Sequence, residues 1–258
     1  MLRLRACALF LLSFTLLFCL SCQAAAKELS YDWPFSASPQ QVIDSLQTQH
    51  AADLPDSIAY EHHLILAKAH YFNAFQENRP DETKQADLQA AHAAIQNAMA
   101  YHKTPTARAF ECLIMLEENH FLSLKDASLN FDMCKKELED ILRTDAMDFI
   151  ANIAYGQLAY EVRQIQGFRR FLAKIFYTPL ADDVNYETAL LYFLQAKYLQ
   201  PSPVVFYQLA RAYFALGNHR DALLSIKTCV ATTPERPYID LYYQHLAEQA
   251  QNTYNTNH

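Results

Sequence analysis

The chain has 258 residues, of which 52% are hydrophobic and 19% charged, so it can bury a sizeable core and is not a disordered tail. Its three glycines, Gly156, Gly167 and Gly217, are scattered and fall far below the usual share of about 7%, which excludes the glycine-clustered phosphate cradles and dinucleotide-binding turns. The formal net charge of −7 argues against nucleic acid as a partner, because phosphate backbones would be repelled.

In chain order, Arg3 and Arg5 precede an apolar run from Ala6 to Leu20 that is too short to span a bilayer comfortably, the pattern of an export signal over residues 1–26. Two processing sites compete. Cleavage after Ala24-x-Ala26 would start the mature chain at Lys27, and lipidation at Cys22, preceded by the small Ser21, would anchor it. The expected location is therefore periplasmic or secreted, or alternatively the membrane as a lipoprotein. Losing residues 1–26 removes two arginines and no acid, which takes the charge from −7 to −9. Cys112, Cys134 and Cys229 remain, an odd number that cannot all pair. A Cys112–Cys134 bridge and small buried packing residues are the two readings.

Residues 27–55 form an N-terminal segment with one short helix, and residues 56–258 a helical domain. Leu64, Ala67 and Tyr71 mark its first helix, and Ala91, Ile95 and Ala98 its partner. The polar, proline-containing stretch from Gln76 to Asp87 reads as an exposed loop between them. His62, His63 and His70 lie near Glu61 on that first helix, too few ligands for a metal unless another helix adds more. Thr106 to Ala146 holds a second hairpin, with Phe110, Leu113 and Leu116 facing Phe131, Cys134, Leu138 and Ile141. A third runs from Asp148 to Arg163, with Gly156 as its small residue, and resumes near Asn185 with Ala189, Phe193, Ala196 and Pro201.

The clearest unit is Pro203 to Arg236, 34 residues long. Phe206, Leu209, Ala210 and Tyr213 set a large, large, small, large pattern; Gly217 turns the chain; Ala222, Ile226 and Cys229 lie on the second helix; Pro234 stops it. That is the tetratricopeptide pattern, in which hairpin helices approach where side chains are small. Ala210 and Ala222 are 12 residues apart but Gly156 and Ala189 are 33 apart, so some 21 residues, about 164–184, are inserted in the penultimate repeat. The insertion has Phe168, Phe171, Leu172, Ile175 and Phe176 on one helical face and Arg169, Arg170 and Lys174 on the other. Packing across the domain, a membrane-surface contact and a lid are its three readings, with Phe168, Arg169, Arg170, Phe171 and Lys174 as contact residues. Pro237 to about Thr253 reads as a C-terminal capping helix. The expected fold is all-α: a tetratricopeptide-like, right-handed superhelical solenoid of antiparallel helix hairpins.

Tyr160-Glu161-Val162, the basic-aromatic stretch at Arg169 and Arg170, Pro179, Tyr186-Glu187, Ala189-Leu190, Tyr192-Phe193-Leu194, Ala196 and Pro201 resemble the regulator of microtubule dynamics family over about residues 105–236. The resemblance implies an interrupted helical hairpin and an adaptor or binding domain without catalysis. Some relatives are membrane-anchored and associated with lipid handling. Microtubule binding does not carry over, since an exported acidic chain would not meet tubulin.

First helices line the concave face of stacked hairpins, so the expected partner-binding groove comprises Ile153, Gln157, Tyr160, Glu161, Val204, Tyr207, Arg211 and Phe214, with Glu111, Met115 and Glu118 upstream. For Tyr160 and Phe214 the competing reading is core packing. No catalytic motif is present, and no metal or cofactor is expected. The expected function is a non-enzymatic interaction module binding a peptide or partner protein, and the alternative is a groove-type carrier of a lipid or other apolar ligand.

Overall fold

Helix ends in this chain are set by short polar side chains and prolines. A computed structural model describes residues 37–48, 54–76, 79–165, 184–235 and 237–257, and the described residues hold ten α-helices and no strand. Helix α1 (Pro39–Gln47) opens with a capping box, in which Ser38 accepts the Gln41 N–H and the Gln41 side chain accepts the Ser38 N–H. Next come α2 (Asp56–Ala74), α3 (Asp81–Tyr101), α4 (Pro105–Glu118, capped by Thr104), and α5 (Leu124–Thr144, capped by Ser123). Asp148 caps α6 (Phe149–Gln164), its carboxylate accepting the Ala151 N–H at 2.8 Å, and Asn185 caps α7 (Tyr186–Leu199). The last three are α8 (Pro203–Ala215), α9 (His219–Ala231) and α10 (Pro237–Asn257). Gly217, at φ 74°, lets the Asn218 N–H reach the Tyr213 carbonyl and its own N–H reach that of Phe214, which closes α8 with a Schellman motif.

Each helix packs against the next in the chain. In addition α4 packs on α6, α6 on α8, and α8 on α10, while α10 also touches α2. Small residues sit at the crossings: Ala210, Ala222 and Cys229 are all buried between α8, α9 and α10. Gly156 does the same for α6 and α7, where a Cβ would stand 2.5 Å from the buried Phe193 ring. The three cysteines among the described residues are free and buried, so Cys112 and Cys134 form no bridge; the Cys134 thiol donates instead to the Cys112 carbonyl at 3.7 Å.

The expected loop from Gln76 to Asp87 is largely helical, because α3 starts at Asp81. Asp81 and Glu82 in its first turn suit the positive end of the helix dipole, and Pro80 precedes them. Asp87 is buried and accepts hydrogen bonds from Asn73 at 3.1 Å and from the Arg79 guanidinium at 2.8 Å, which ties the α2–α3 link down. The export signal, Cys22 and the insertion residues Phe168, Arg169, Arg170, Phe171 and Lys174 lie outside the described residues.

Charged side chains link helices both within a hairpin and between neighbouring hairpins. Arg108 of α4 binds Glu137 and Asp140 of α5. His92 of α3 lies between Glu118, at 2.8 Å, and Glu111, at 3.6 Å, on α4; its two carboxylate partners hold the imidazolium and push its pKa from 6.5 up to about 9. Because the folded-state value is raised, this contribution is complete below pH 6.5 and is lost as pH rises through about 9. His92→Gln should therefore cost about 1–2 kcal/mol of stability at pH 6. Most of that difference should vanish near pH 10 in urea melts of the two proteins; an equal penalty at both pH values would refute the ion-pair account.

Candidate functional site

The C-terminal halves of α4 and α6 and the middle of α8 converge on a polar cluster that helical periodicity builds. Glu117 shares a face of α4 with the buried Phe110 and Leu113, so it points inward rather than to solvent. Gln157 and Glu161 lie one turn apart on α6. The Gln157 amide donates to Glu117 at 2.8 Å and to Glu161 at 3.0 Å, bridging two buried carboxyl groups. Burial and the nearby Glu117 charge push the Glu161 carboxyl from 4.5 up to about 8, against the pull of Arg211, the Gln157 hydrogen bond and Lys84.

Two cations border the pair. Lys84 of α3 lies 3.9 Å from Glu117, with its ammonium 4.8 Å from the Phe75 ring centre and 5.9 Å from that of Tyr242. Arg211 of α8 stacks over the Tyr160 ring at 4.1 Å and donates to Gln208 at 2.9 Å, yet it has no carboxylate within 4.0 Å among the described residues. Tyr207 packs on Tyr243 of α10, at 5.5 Å between ring centres, and burial raises the Tyr207 phenol above its usual range. Burial, then Glu117, pushes Tyr242 up to about 12, so these hydroxyls stay protonated.

Beside this cluster opens a recess of about 510 Å³ between the Asn119–Phe121 turn, the start of α5, the end of α6, and α8. Asn119, His120, Glu161 and Arg211 contribute polar walls, while Leu122, Leu124, Ala127, Phe131 and Ile165 contribute apolar ones. His120 is largely exposed, with Nε2 at 3.8 Å from Glu161. Asn119 accepts from Asn130 at 2.9 Å through its carbonyl, and its buried Nδ2 has no partner.

Of the residues expected in a groove, the structure brings together Gln157, Tyr160, Glu161, Tyr207 and Arg211. Ile153 and Val204 are core residues, 1% and 2% exposed, and Gln157, at 2%, is as deeply buried, so these three are not displayed on an open surface. Phe214 is half-buried near the far end of α8, with the rings of His219 and of Tyr254 on α10 beside it. Upstream, Met115 is buried, and Glu111 and Glu118 are engaged by His92. Glu117, Lys84, His120 and Tyr242 were not expected here. Spacing from Phe110 and Leu113 was the available signal for Glu117; nothing local marks the other three. His63 stacks on Tyr101 and His70 faces Asp87 at 3.7 Å, so those histidines belong to the α2–α3 packing.

A family model describing regulator of microtubule dynamics proteins 1–3 matches residues 40–255. The match thus starts well before residue 105, where the recognisable motifs begin. No curated protein matches the chain.

Proposed function

The chain belongs to the regulator of microtubule dynamics family, and from that premise we propose that it is a non-enzymatic interaction module that binds a peptide segment or partner protein at the Tyr160–Arg211 face. In this reading α2 to α10 form a tetratricopeptide-like, right-handed superhelical stack, and the recess lies on its inner side. The pattern of helix contacts supports it: successive helices pair, and α4, α6, α8 and α10 also pack in file, as the first helices of stacked hairpins do. The observation that carries the binding role is the open recess flanked by Arg211, a cation held over an aromatic ring without a carboxylate partner. Arginine and tyrosine presented together give contact area and a fixed donor fork at little rotamer cost.

Support for the absence of catalysis comes from the chemistry of the candidate groups. The Gln157 amide bridges both carboxyl groups, and Glu117 also faces Lys84, so neither is displayed as a free acid and base pair. Burial pushes the Cys229 thiol up to about 12, the opposite of nucleophile activation. The proposed setting is the cell envelope, with the chain exported to the periplasm or medium or held as a lipoprotein at Cys22; the basic-then-apolar N-terminus supports this. No helix among the described residues is long and apolar enough to cross a membrane.

Combined Tyr207→Ala and Arg211→Ala should weaken capture of a partner from envelope extracts by about 1–3 kcal/mol. Circular dichroism would check that the variant stays folded, since both side chains also pack. Undiminished capture by a folded double variant would refute this face as the binding surface. A second reading, carriage of a lipid or other apolar ligand, is favoured by the apolar wall of the recess. Recurrent lipid in mass spectra of organic extracts of the purified chain would support it.

A further inference from the structure

The two sides of the recess differ in chemistry, and the difference selects a ligand. On one side Arg211 brings a half-buried positive charge that no carboxylate within 4.0 Å neutralises among the described residues. Burying a cation is costly unless an opposite charge joins it, so a site of this kind favours an anion. His120 brings a largely exposed imidazole to the same wall. On the other side Leu124, Ala127, Phe131 and Ile165 offer an apolar surface.

The charge of the anion is limited by what surrounds Arg211. Glu161 itself lines the recess and shares the Gln157 amide with Glu117, which Lys84 faces at 3.9 Å, so the Arg211 guanidinium is left to balance the ligand. A doubly charged phosphate would exceed that balance, whereas one carboxylate matches the guanidinium fork in both charge and shape. Glu161, protonated below about pH 8, adds no repulsion at neutral pH. The volume, about 510 Å³, falls within the range of sites for small ligands and can hold a carboxylate together with one or two side chains.

We propose that this recess binds a monocarboxylate attached next to an apolar group, with the carboxylate on Arg211 and the apolar group against Leu124, Ala127, Phe131 and Ile165. Two sources supply that chemistry: the C-terminus of a peptide ending in an aliphatic or aromatic residue, and a free branched or aromatic acid. The peptide source rests on the partner-binding reading above; the free-acid source does not.

Calorimetric titration of the full chain tests this with four probes: N-acetyl-leucine, its amide, a pentapeptide ending in leucine as the free acid, and the same pentapeptide as the C-terminal amide. Both acids should bind, and each amide should bind about ten- to a hundredfold more weakly than its acid. Arg211→Gln should reduce acid binding by a similar factor. Ala127→Leu, which fills the apolar side and leaves the cation untouched, should also weaken acid binding and so guards against misfolding of the Arg211 variant. A pentapeptide acid that binds more than tenfold tighter than N-acetyl-leucine identifies a peptide terminus as the source, and equal affinities identify the free acid. Acid and amide pentapeptides binding alike would overturn the carboxylate site while leaving the partner-binding reading intact. Absence of binding by every probe at millimolar concentration would also overturn it.

Discussion

Valine in place of Gly156 is expected to destabilise the protein by about 3 kcal/mol, because even a Cβ at this position would lie 2.5 Å from Cε1 and 2.6 Å from Cδ1 of Phe193. The ring is completely buried between α6 and α7 and has no open direction in which to retreat. Relief must come from separating two helices, which opens space along their whole contact. Alanine gives a milder test, since its better helix propensity offsets about 1 kcal/mol of the clash. The decisive measurement is a double-mutant cycle by urea unfolding. Phe193→Ala alone should cost about 3–5 kcal/mol through the cavity it leaves. In that background Gly156→Val should become nearly neutral, because its methyl groups enter the vacated space. Simple additivity of the two losses would show that Gly156 and Phe193 are not the contact that sets this crossing.

The second large effect is a gain. Glu161 ionises near 4.5 in an unfolded chain but only at about 8 in the folded one. Between those values the folded state carries the additional proton, so stability falls as pH rises from 4.5 to about 8 and then levels off. Glu161→Gln removes the titration yet keeps an acceptor for the Gln157 amide and the same shape. It should match the parent near pH 4.5 and exceed it by about 2–4 kcal/mol at pH 8. Urea denaturation at both pH values reads this directly, and parallel pH profiles for the two proteins would rule out an uncharged buried Glu161.

How much of this was legible before the structure depends on what each signal encodes. The crossing of α8 and α9 was, because Ala210, Ala222 and Cys229 mark a close approach by size alone, and Gly217 marks the turn through its positive φ. The beginning of α3 was not: Asp81 and Glu82 look like loop residues in composition, although acids also suit a first turn. At the site, helical spacing put Gln157, Tyr160, Glu161, Tyr207 and Arg211 on a partner-binding groove; these five lie together, although Gln157, Tyr160 and Glu161 are buried. The same spacing placed Ile153, Val204 and Phe214 on an open surface. Periodicity reports which residues share a face of one helix, but it carries no information about a later helix laid over that face. Here Tyr254 of α10 packs beside the half-buried Phe214, and Ile153, Val204 and Gln157 are buried outright. Glu117 escaped notice for a related reason, since an acid on an inner face has the same letter as one in water.

The contact of α10 with α2 has its own consequence. Phe75, directly after α2, lies 5.2 Å from Tyr242 and 6.3 Å from Tyr243, so the last helix grips the end of the first long one. A file of helices joined only to sequence neighbours could fray from either terminus one unit at a time. With its extremities fastened together, this chain gives up that freedom: loosening the tail also strips an aromatic partner from a helix near its beginning. Melting should then be a single concerted event rather than a progressive unravelling.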